Sequence, residues 1–287
     1  MKLNPKYLRE YELIQKTGNS PITGKMIRAV LKDLGIEQGC RLMMHCSLRS
    51  IGWHVGGSRM LLEAVMNQIG EKGLLLMPAH SNDCSDPEDW GNPPVPDAWK
   101  PIIRKEMPPF DPNQTSALRV GATAELFRTL PGVHRSSHPL LSVAAWGNGA
   151  REITADHALD YPNGMGSPLA RLYEHGAVIL LYGVTYENCT MLHLAEYRAQ
   201  WPGKKSIVIK APVSRVNGNT HWEELKEYDY DMDDFMNIGT AMEEQGVSWI
   251  RQKNLGIGTL RAINCREFVD FAVRWMEEHR DETGFPL

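Results

Sequence analysis

Two short apolar runs separated by a helical stretch, all between residues 41 and 78, limit what this chain can fold into more than any other feature. Residues 41–45 and 73–78 predict buried strands, and residues 59–69 predict a helix that Gly70 ends. Strand, loop, helix and strand in this order form a βαβ unit, which requires parallel strands. The sequence therefore predicts an α/β protein.

The rest of the chain continues this alternation of helices and strands. Further helices are predicted at residues 23–34 (with Thr23 as N-cap), 121–130, 168–175, from about 190 onwards, and 266–279; further strands are predicted at 141–146 and 178–182. Residues 206–216 and 220–222 predict an antiparallel hairpin that turns at Asn217-Gly218. Residues 80–112 show no periodicity, and a loop of that length is usually a lid or a binding loop.

Composition excludes several classes of protein. The net charge of −4 provides no basic field for nucleic acid or anionic membranes, and no run approaches the roughly 20 apolar residues of a membrane helix. The first 16 residues lack the apolar core of a signal peptide, so a cytoplasmic protein is predicted. The cysteines are odd in number and scattered, which disfavours both a disulfide framework and a structural zinc site.

The segment after residues 177–182 contains the strongest candidate for catalysis. His193 and Glu196 are three residues apart in a predicted helix, so they share one face of it. A carboxylate in that position can hold an imidazole in one tautomer and make it a better base. The pair also follows a strand-to-helix junction, where α/β enzymes usually have their active sites.

Two more segments suggest binding sites, although each also has an ordinary structural explanation. The loop at residues 47–58 precedes a helix, so its N–H groups, with Arg49 and Arg59, could bind a phosphate-bearing ligand, or the loop is a plain turn. The acidic residues between Glu223 and Asp234 are either a solvated face or a surface for a cationic small molecule.

Several motifs in one order, from about residue 23 to 272, resemble the aminoglycoside 3-N-acetyltransferase family. They read HCSLRSIGWHVGG, PPFDPNQTSALRVGATAELFR, RSSHPLLSVAAWG, GSPLARLYEHGAVILLYGV, NCTMLHLAEY, NIGTAMEEQ and GIGTLRAINCREFVDFA. The resemblance implies acetyl-CoA-dependent acetylation of the 3-amino group of a deoxystreptamine ring, conferring antibiotic resistance. It also implies a single domain over residues 1–287, with mixed sheets flanked by helices in a fold distinct from that of the GNAT acetyltransferases.

The same resemblance implies roles for individual residues. His193 corresponds to the catalytic base, Glu196 to its partner and His45 to a further active-site histidine. Apart from the resemblance, backbone N–H groups or a hydroxyl such as that of Thr190 could stabilise the oxyanion formed during transfer. The residues expected to bind CoA are Ser47, Leu48, Arg49, Ser50, Gly52, Val55, Gly56, Gly57 and Ser116. The residues expected to bind a cationic acceptor are Asp83, Asp111, Glu227, Asp229, Asp231, Asp233 and Asp234. No metal is expected, and the protein is expected to be a monomer or a homodimer.

The sequence departs from the family pattern at two places, and these departures leave the chemistry open. Cys46 stands where the family commonly has Ser or Thr, and Cys189-Thr190-Met191 stands where many members have Asn-Thr-Ser. The acceptor can therefore be a different amine. Covalent catalysis by Cys46 is a second hypothesis, and a binding protein that has lost catalysis is a third. A fourth hypothesis is a zinc-dependent hydrolase, with ligands drawn from His45, His80, Asp83, His138, His193 and Glu196.

Overall fold

A mixed sheet with helices on both faces organises the molecule. The computed structural model describes residues 4–229 and 232–282. Its strands are β1 (Arg41–Cys46), β2 (Leu74–Pro78), β3 (His134–Arg135), β4 (Val143–Gly147), β5 (Val178–Tyr182), β6 (Lys205–Val216), β7 (Asn219–Asp229), β8 (Ile250–Leu255) and β9 (Gly258–Asn264). Its helices are α1 (Leu8–Thr17), α2 (Gly24–Asp33), α3 (Leu48–Ile51), α4 (Gly57–Ile69), α5 (Lys100–Glu106), α6 (Ala122–Arg128), α7 (Ala150–Thr154), α8 (Pro168–Glu174), α9 (Met191–Arg198), α10 (Phe235–Glu244) and α11 (Cys265–His279). The predicted fold class is confirmed.

Seven strands form the main sheet in the order β3-β4-β2-β1-β5-β9-β8. The central strand β1 is parallel to β2 and to β5, whereas β4 and β9 run antiparallel to their neighbours on either side. The βαβ unit predicted from residues 41–78 is therefore present, with α4 as its crossover helix. The strands β6 and β7 form a separate two-stranded hairpin.

The side chains of β1 point alternately to the two faces of the sheet, and a separate layer of the core lies on each face. Leu42 and Met44 pack on the face covered by α2, α4 and α6, whereas Met43 packs on the face covered by α8, α9 and α11. Because successive side chains of a strand point to opposite faces, His45 lies on the same face as Met43. This arrangement turns the last histidine of β1 towards the layer that contains α9.

The helix ends and the turn that were predicted from adjacent residues in the sequence are present in the structure. The Thr23 hydroxyl accepts a hydrogen bond from the Met26 N–H at the start of α2, and α4 ends at Gly70. The hairpin turns at Asn217 and Gly218, which both have positive φ, as a two-residue turn of this kind requires. The hairpin is longer than predicted, because β7 continues through much of the acidic segment to Asp229.

Several elements differ from the sequence analysis. The loop at residues 47–58 contains the one-turn helix α3, and residues 80–112 contain α5. The helix α1, which buries none of its residues, and the hairpin of β8 and β9 were not predicted from the sequence. Among the described residues, no helix has both the length and the apolar composition needed to cross a bilayer.

Candidate active site

The carboxyl ends of the parallel strands β2, β1 and β5 meet at one edge of the sheet, and a cavity of about 810 Å³ lies there. His45 and Cys46 from the end of β1, His80 after β2 and Val184 after β5 all contribute to its wall. Open α/β sheets bind ligands beyond the carboxyl ends of their strands, and sites for small molecules are commonly about 300–1,000 Å³. The topology therefore defines this cavity as the candidate active site.

His193 and Glu196 form a close pair at this cavity. Both lie on α9, and the His193 Nδ1 atom is 2.7 Å from the Glu196 Oε2 atom. His193 is on the cavity wall, while Glu196 lies behind it and is fully buried. Because a carboxylate only accepts hydrogen bonds, Nδ1 donates to Oε2 and the basic lone pair is on Nε2. The structure thus brings together the pair that the sequence analysis singled out, in a geometry that suits a general base.

The second oxygen of Glu196 contacts an arginine that the sequence analysis missed. The Nη1 atom of Arg280, just after α11, lies 2.9 Å from Glu196 Oε1. The Nε and Nη2 atoms of Arg280 donate to the two carboxylate oxygens of Asp234, each at 2.7 Å. Asp234 was predicted to bind the substrate; instead it is buried, and both of its oxygens are engaged by Arg280.

Several residues predicted for catalysis or cofactor binding lie on the cavity wall. They are His45, Ser47, Leu48, Arg49, Thr190 and His193. Another part of the wall was not predicted from the sequence, and it comes from the segment that leads into α6 and from the start of that helix. It includes Arg119, Gly121 and Thr123, and the Thr123 hydroxyl lies 2.8 Å from that of Ser58 at the start of α4. The N-terminal ends of two helices therefore face the cavity, as suits an anionic ligand.

The remaining predicted cofactor residues are not part of the cavity wall. Ser50 is within hydrogen-bond distance of Ser47. Gly52 has a φ of 136°, and its backbone lies close to the side chain of Thr17. Val55, Gly56 and Gly57 form the turn into α4. The Ser116 hydroxyl donates to Glu125 and accepts from the Leu118 N–H, which makes it part of a turn.

The predicted acceptor-binding acids are dispersed. Of those that the structure describes, none is on the cavity wall. Asp83 pairs with Arg119, Asp111 accepts from the N–H groups of Asn113 and Gln114, and Asp229 and Asp233 are exposed. Asp231 lies outside the described residues. The carboxylate on the wall is that of Glu187, which the position of its segment just after β5 could have revealed.

Glu227, on β7 of the hairpin, is buried. Its Oε1 atom accepts from the Tyr197 hydroxyl and, at 2.7 Å, from the Tyr228 N–H. Burial raises the pKa of Glu227 to about 7, against the lowering effect of the Tyr228 hydrogen bond. Glu227 is therefore only partly ionised at neutral pH.

The histidines His45 and His80 at the cavity are neutral. Burial, with a smaller contribution from nearby His193, lowers the pKa values of both to about 3. Their Nε2 atoms are buried, and no described residue forms a hydrogen bond with either. Within residues 4–229 and 232–282, no group of three or more His, Cys, Asp or Glu side chains is arranged to hold a metal ion. The zinc hydrolase hypothesis therefore has no ligand set in the described chain.

Cys46 is on the cavity wall but is a poor nucleophile. Burial raises the pKa of its thiol to about 11, although a hydrogen bond with Thr123 opposes the shift. At neutral pH the thiol is almost entirely protonated, whereas the thiolate is the reactive form. The environment of Cys46 therefore disfavours covalent catalysis.

Comparison with known proteins identifies the class. Residues 43–277 match the family model for aminoglycoside 3-N-acetyltransferase. The chain is 39% identical to the SPbeta prophage-derived aminoglycoside N(3')-acetyltransferase-like protein YokD of Bacillus subtilis (strain 168), covering 89% of this chain and 92% of that protein. It is 34% identical to aminoglycoside N(3)-acetyltransferase VII of Streptomyces paromomycinus, covering 92% and 94%.

Solved structures give the same answer. The crystal structure of YokD superposes with a TM-score of 0.86 at 38% identity and covers 92% of this chain and 96% of that one. AAC-IIIb, in a binary complex with CoASH, has a TM-score of 0.78 at 32% identity, covering 90% and 97%. AAC-VIa with bound sisomicin has a TM-score of 0.78 at 29% identity, covering 90% and 99%. The protein is thus an acetyltransferase. It belongs to the aminoglycoside 3-N-acetyltransferase family.

Proposed function

We propose that the protein transfers the acetyl group of acetyl-CoA to the 3-amino group of the deoxystreptamine ring of an aminoglycoside, with His193 as the general base. The observation that carries the proposal is the 2.7 Å contact between His193 and Glu196 at the wall of the 810 Å³ cavity. The cytoplasmic location and the role in antibiotic resistance expected from the sequence belong to the same proposal.

The reaction requires a base because an ammonium group has no lone pair with which to attack a thioester. His193 Nε2 takes a proton from the acceptor amine, and the carboxylate of Glu196 stabilises the imidazolium that results. The amine nitrogen then bonds to the acetyl carbon and releases its second proton to solvent, and the thioester C–S bond breaks. His193 returns its proton to the departing sulfur, so that the imidazole is neutral for the next turnover.

The negative charge that develops on the acetyl oxygen needs a donor at the same wall. Thr190 is on the cavity wall three residues before His193, at the start of α9. We propose that its hydroxyl donates a hydrogen bond to this oxyanion. Removing one such donor typically slows an enzyme by about 10²- to 10³-fold.

The charges around the cavity support a CoA donor. Arg49 and Arg119 are on its wall, and so is Ser58 in the first turn of α4. Cations and helix N-termini are the groups that bind phosphates in proteins. The CoASH-bound AAC-IIIb structure supports the same donor.

We propose a cationic acceptor. Glu187 on the wall and the net charge of −4 favour a cationic molecule, and AAC-VIa binds sisomicin. A different amine remains the second candidate, because the predicted acidic residues that the structure describes are away from the wall, and the relative YokD is named only acetyltransferase-like.

The test is acetyl-CoA turnover, followed by thiol release, against gentamicin, tobramycin, neomycin and apramycin. We expect His193→Ala to lower kcat by about 10²- to 10⁴-fold, the usual contribution of a general base, while CoA binding persists. His175→Ala, which alters an exposed histidine at the end of α8, is the matched control and should leave kcat unchanged. Drug-dependent thiol release that survives in His193→Ala would exclude the proposed role of His193. CoA binding without thiol release in the presence of any of these drugs would favour a different amine as the acceptor.

A further inference from the structure

A chain of four charged or ionisable groups runs from the cavity into the core. His193 contacts Glu196 at 2.7 Å, Glu196 contacts Arg280 at 2.9 Å, and Arg280 contacts both oxygens of Asp234 at 2.7 Å. Glu196, Arg280 and Asp234 are at most 3% exposed. These contacts link α9 to Asp234, the residue before α10, and to Arg280, the residue after α11. The apolar residues of α9 are also buried in the core.

We propose that Arg280 is a positioning residue for the acetyl transfer: it keeps the buried Glu196 ionised and oriented, so that His193 presents its Nε2 lone pair to the acceptor amine. The inference rests on the proposed function of His193. Arg280 does not line the cavity, so its effect reaches the reaction through Glu196 and His193.

The need for a cation follows from the burial of Glu196. An isolated carboxylate in a dry interior takes up a proton rather than remain charged. A protonated Glu196 would donate to Nδ1 of His193 and so move the ring hydrogen to Nε2. In that tautomer His193 has no lone pair facing the cavity. The charge on Arg280 therefore decides which tautomer the enzyme contains.

The charged groups on neighbouring elements do not replace Arg280. Lys204 acts on Glu196 only through space, because its Nζ atom donates to the carbonyl oxygens of Tyr197 and Ala199. Glu227, when ionised, adds a negative charge on the hairpin side that repels the carboxylate of Glu196. Arg280 is the cation in direct contact with the carboxylate.

The position of the guanidinium group is itself fixed from two directions. Asp234 binds it through two parallel hydrogen bonds, and the Trp201 ring lies 4.8 Å from it. A planar fork can contact two carboxylates at once, whereas an ammonium group is a single point charge. Lysine at this position should therefore replace the charge but not the orientation.

The first test compares the pH profiles of the wild type, Arg280→Met and Arg280→Lys. In Arg280→Met we expect kcat at pH 7 to fall by about 10²-fold or more, as when a carboxylate no longer sets the tautomer of a catalytic histidine. The acid limb of kcat should move up by about one pH unit or more, because only ionised Glu196 supports the active tautomer. The KM values should stay within about threefold, since neither substrate touches Arg280. Arg280→Lys should return the acid limb of the kcat profile to its wild-type pH but should recover only part of the wild-type kcat.

Two further variants separate positioning from folding. Arg280→Met/Asp234→Leu removes the cation together with its buried partner, so no unpaired aspartate remains, and it should show the same shifted limb. Arg261→Met removes an arginine that pairs with Glu243 elsewhere and should leave the profile unchanged. A folded Arg280→Met enzyme with the wild-type pH profile would overturn the proposal.

An infrared measurement tests the proposal without turnover. In Arg280→Met the carboxylic-acid C=O stretch of Glu196 should be present at neutral pH, and it should be missing when Glu196→Gln is added. Absence of that band would exclude the role of Arg280 even if no aminoglycoside is a substrate. Presence of the band in a protein whose turnover does not need His193 would instead leave the charge effect intact and refute the proposed function.

Discussion

Glu227 shows how the surroundings of a single residue decide its role. In sequence it is one of a run of acids suited to a cationic ligand, yet it is 4% exposed and accepts two hydrogen bonds from within the protein. Its folded pKa of about 7 exceeds the ordinary value of 4.5, so the folded protein binds a proton that the unfolded chain releases. The contribution of Glu227 to stability is therefore highest at low pH and is lost as pH rises from about 4.5 to 7.

We expect Glu227→Gln to remove this loss, because the amide carbonyl accepts the same two hydrogen bonds without a charge. Above pH 7 the variant should be more stable than the wild type by up to about 3 kcal/mol, and the difference should vanish near pH 4.5. Urea unfolding at pH 5, 6, 7 and 8 measures it. Glu223→Gln, the same change at an exposed position of β7, should follow the wild type, and an equal pH trend in Glu227→Gln and the wild type would contradict the argument.

Local spacing explains which site residues could be predicted. His193 and Glu196 were found because three positions on a helix are always neighbours. Arg280 was missed because it reaches Glu196 only when α11 folds back beside α9. Glu227 and Asp234 could be recognised as acids, but their burial depends on which elements cover them.

At the scale of elements, α10 packs unusually closely on the turn that leads into α9. A Cβ atom added to Gly239 would lie 2.0 Å from Cδ2 of Tyr186, a buried residue whose hydroxyl donates to Glu243 at 2.9 Å. The absence of a side chain at Gly239 therefore lets the segment before Met191 approach α10.

Gly239→Ala should destabilise the protein by about 1–3 kcal/mol, because overpacking outweighs the gain in helix propensity. It should also lower kcat, since displaced Tyr186 moves the start of α9, on which His193 lies. Urea unfolding and turnover measure the two effects. Thr240→Ala, at the adjacent exposed position of α10, should change neither property markedly, and a Gly239→Ala protein as stable as the wild type would refute the close-packing argument.

Elements with a strong apolar period were predicted, and elements defined by their partners were not. The helix α2 has both a capping threonine and buried Ile27 and Leu31 at helical spacing. In contrast, β8 is an edge strand in which three of the six residues, all polar, are exposed, and it is held by β9 rather than by its own pattern. The helix α1 has apolar residues at helical spacing, Leu8, Tyr11 and Ile14, but all three are exposed, so no buried face identifies it as a core helix.

At the scale of the whole molecule, a ligand that binds only the folded state must raise its stability. CoA at about 100 times its Kd should stabilise the protein by about 2.7 kcal/mol if it occupies the cavity. Differential scanning calorimetry measures this as an increase in Tm. His193→Ala should show the full increase and Arg49→Gln a smaller one, because Arg49 is on the wall and is proposed to contact the phosphates.

Arg151→Gln provides the matched control, since Arg151 is exposed on α7 and is not part of the cavity wall. Its Tm increase should equal that of the wild type. If Arg49→Gln and Arg151→Gln responded equally, the phosphates would have to bind away from Arg49.

The central position of β1 also has a consequence for how the molecule acquires its structure. Leu42 pairs with Leu75 on one side and with Val178, about 136 positions later, on the other. Contacts between such distant segments slow folding, because a long loop must close before the contacts can form. Until β5 pairs with β1, the backbone N–H and C=O groups along one edge of β1 are unpaired and can bond to another chain. We therefore expect slow refolding, with aggregation as its main competitor at high protein concentration.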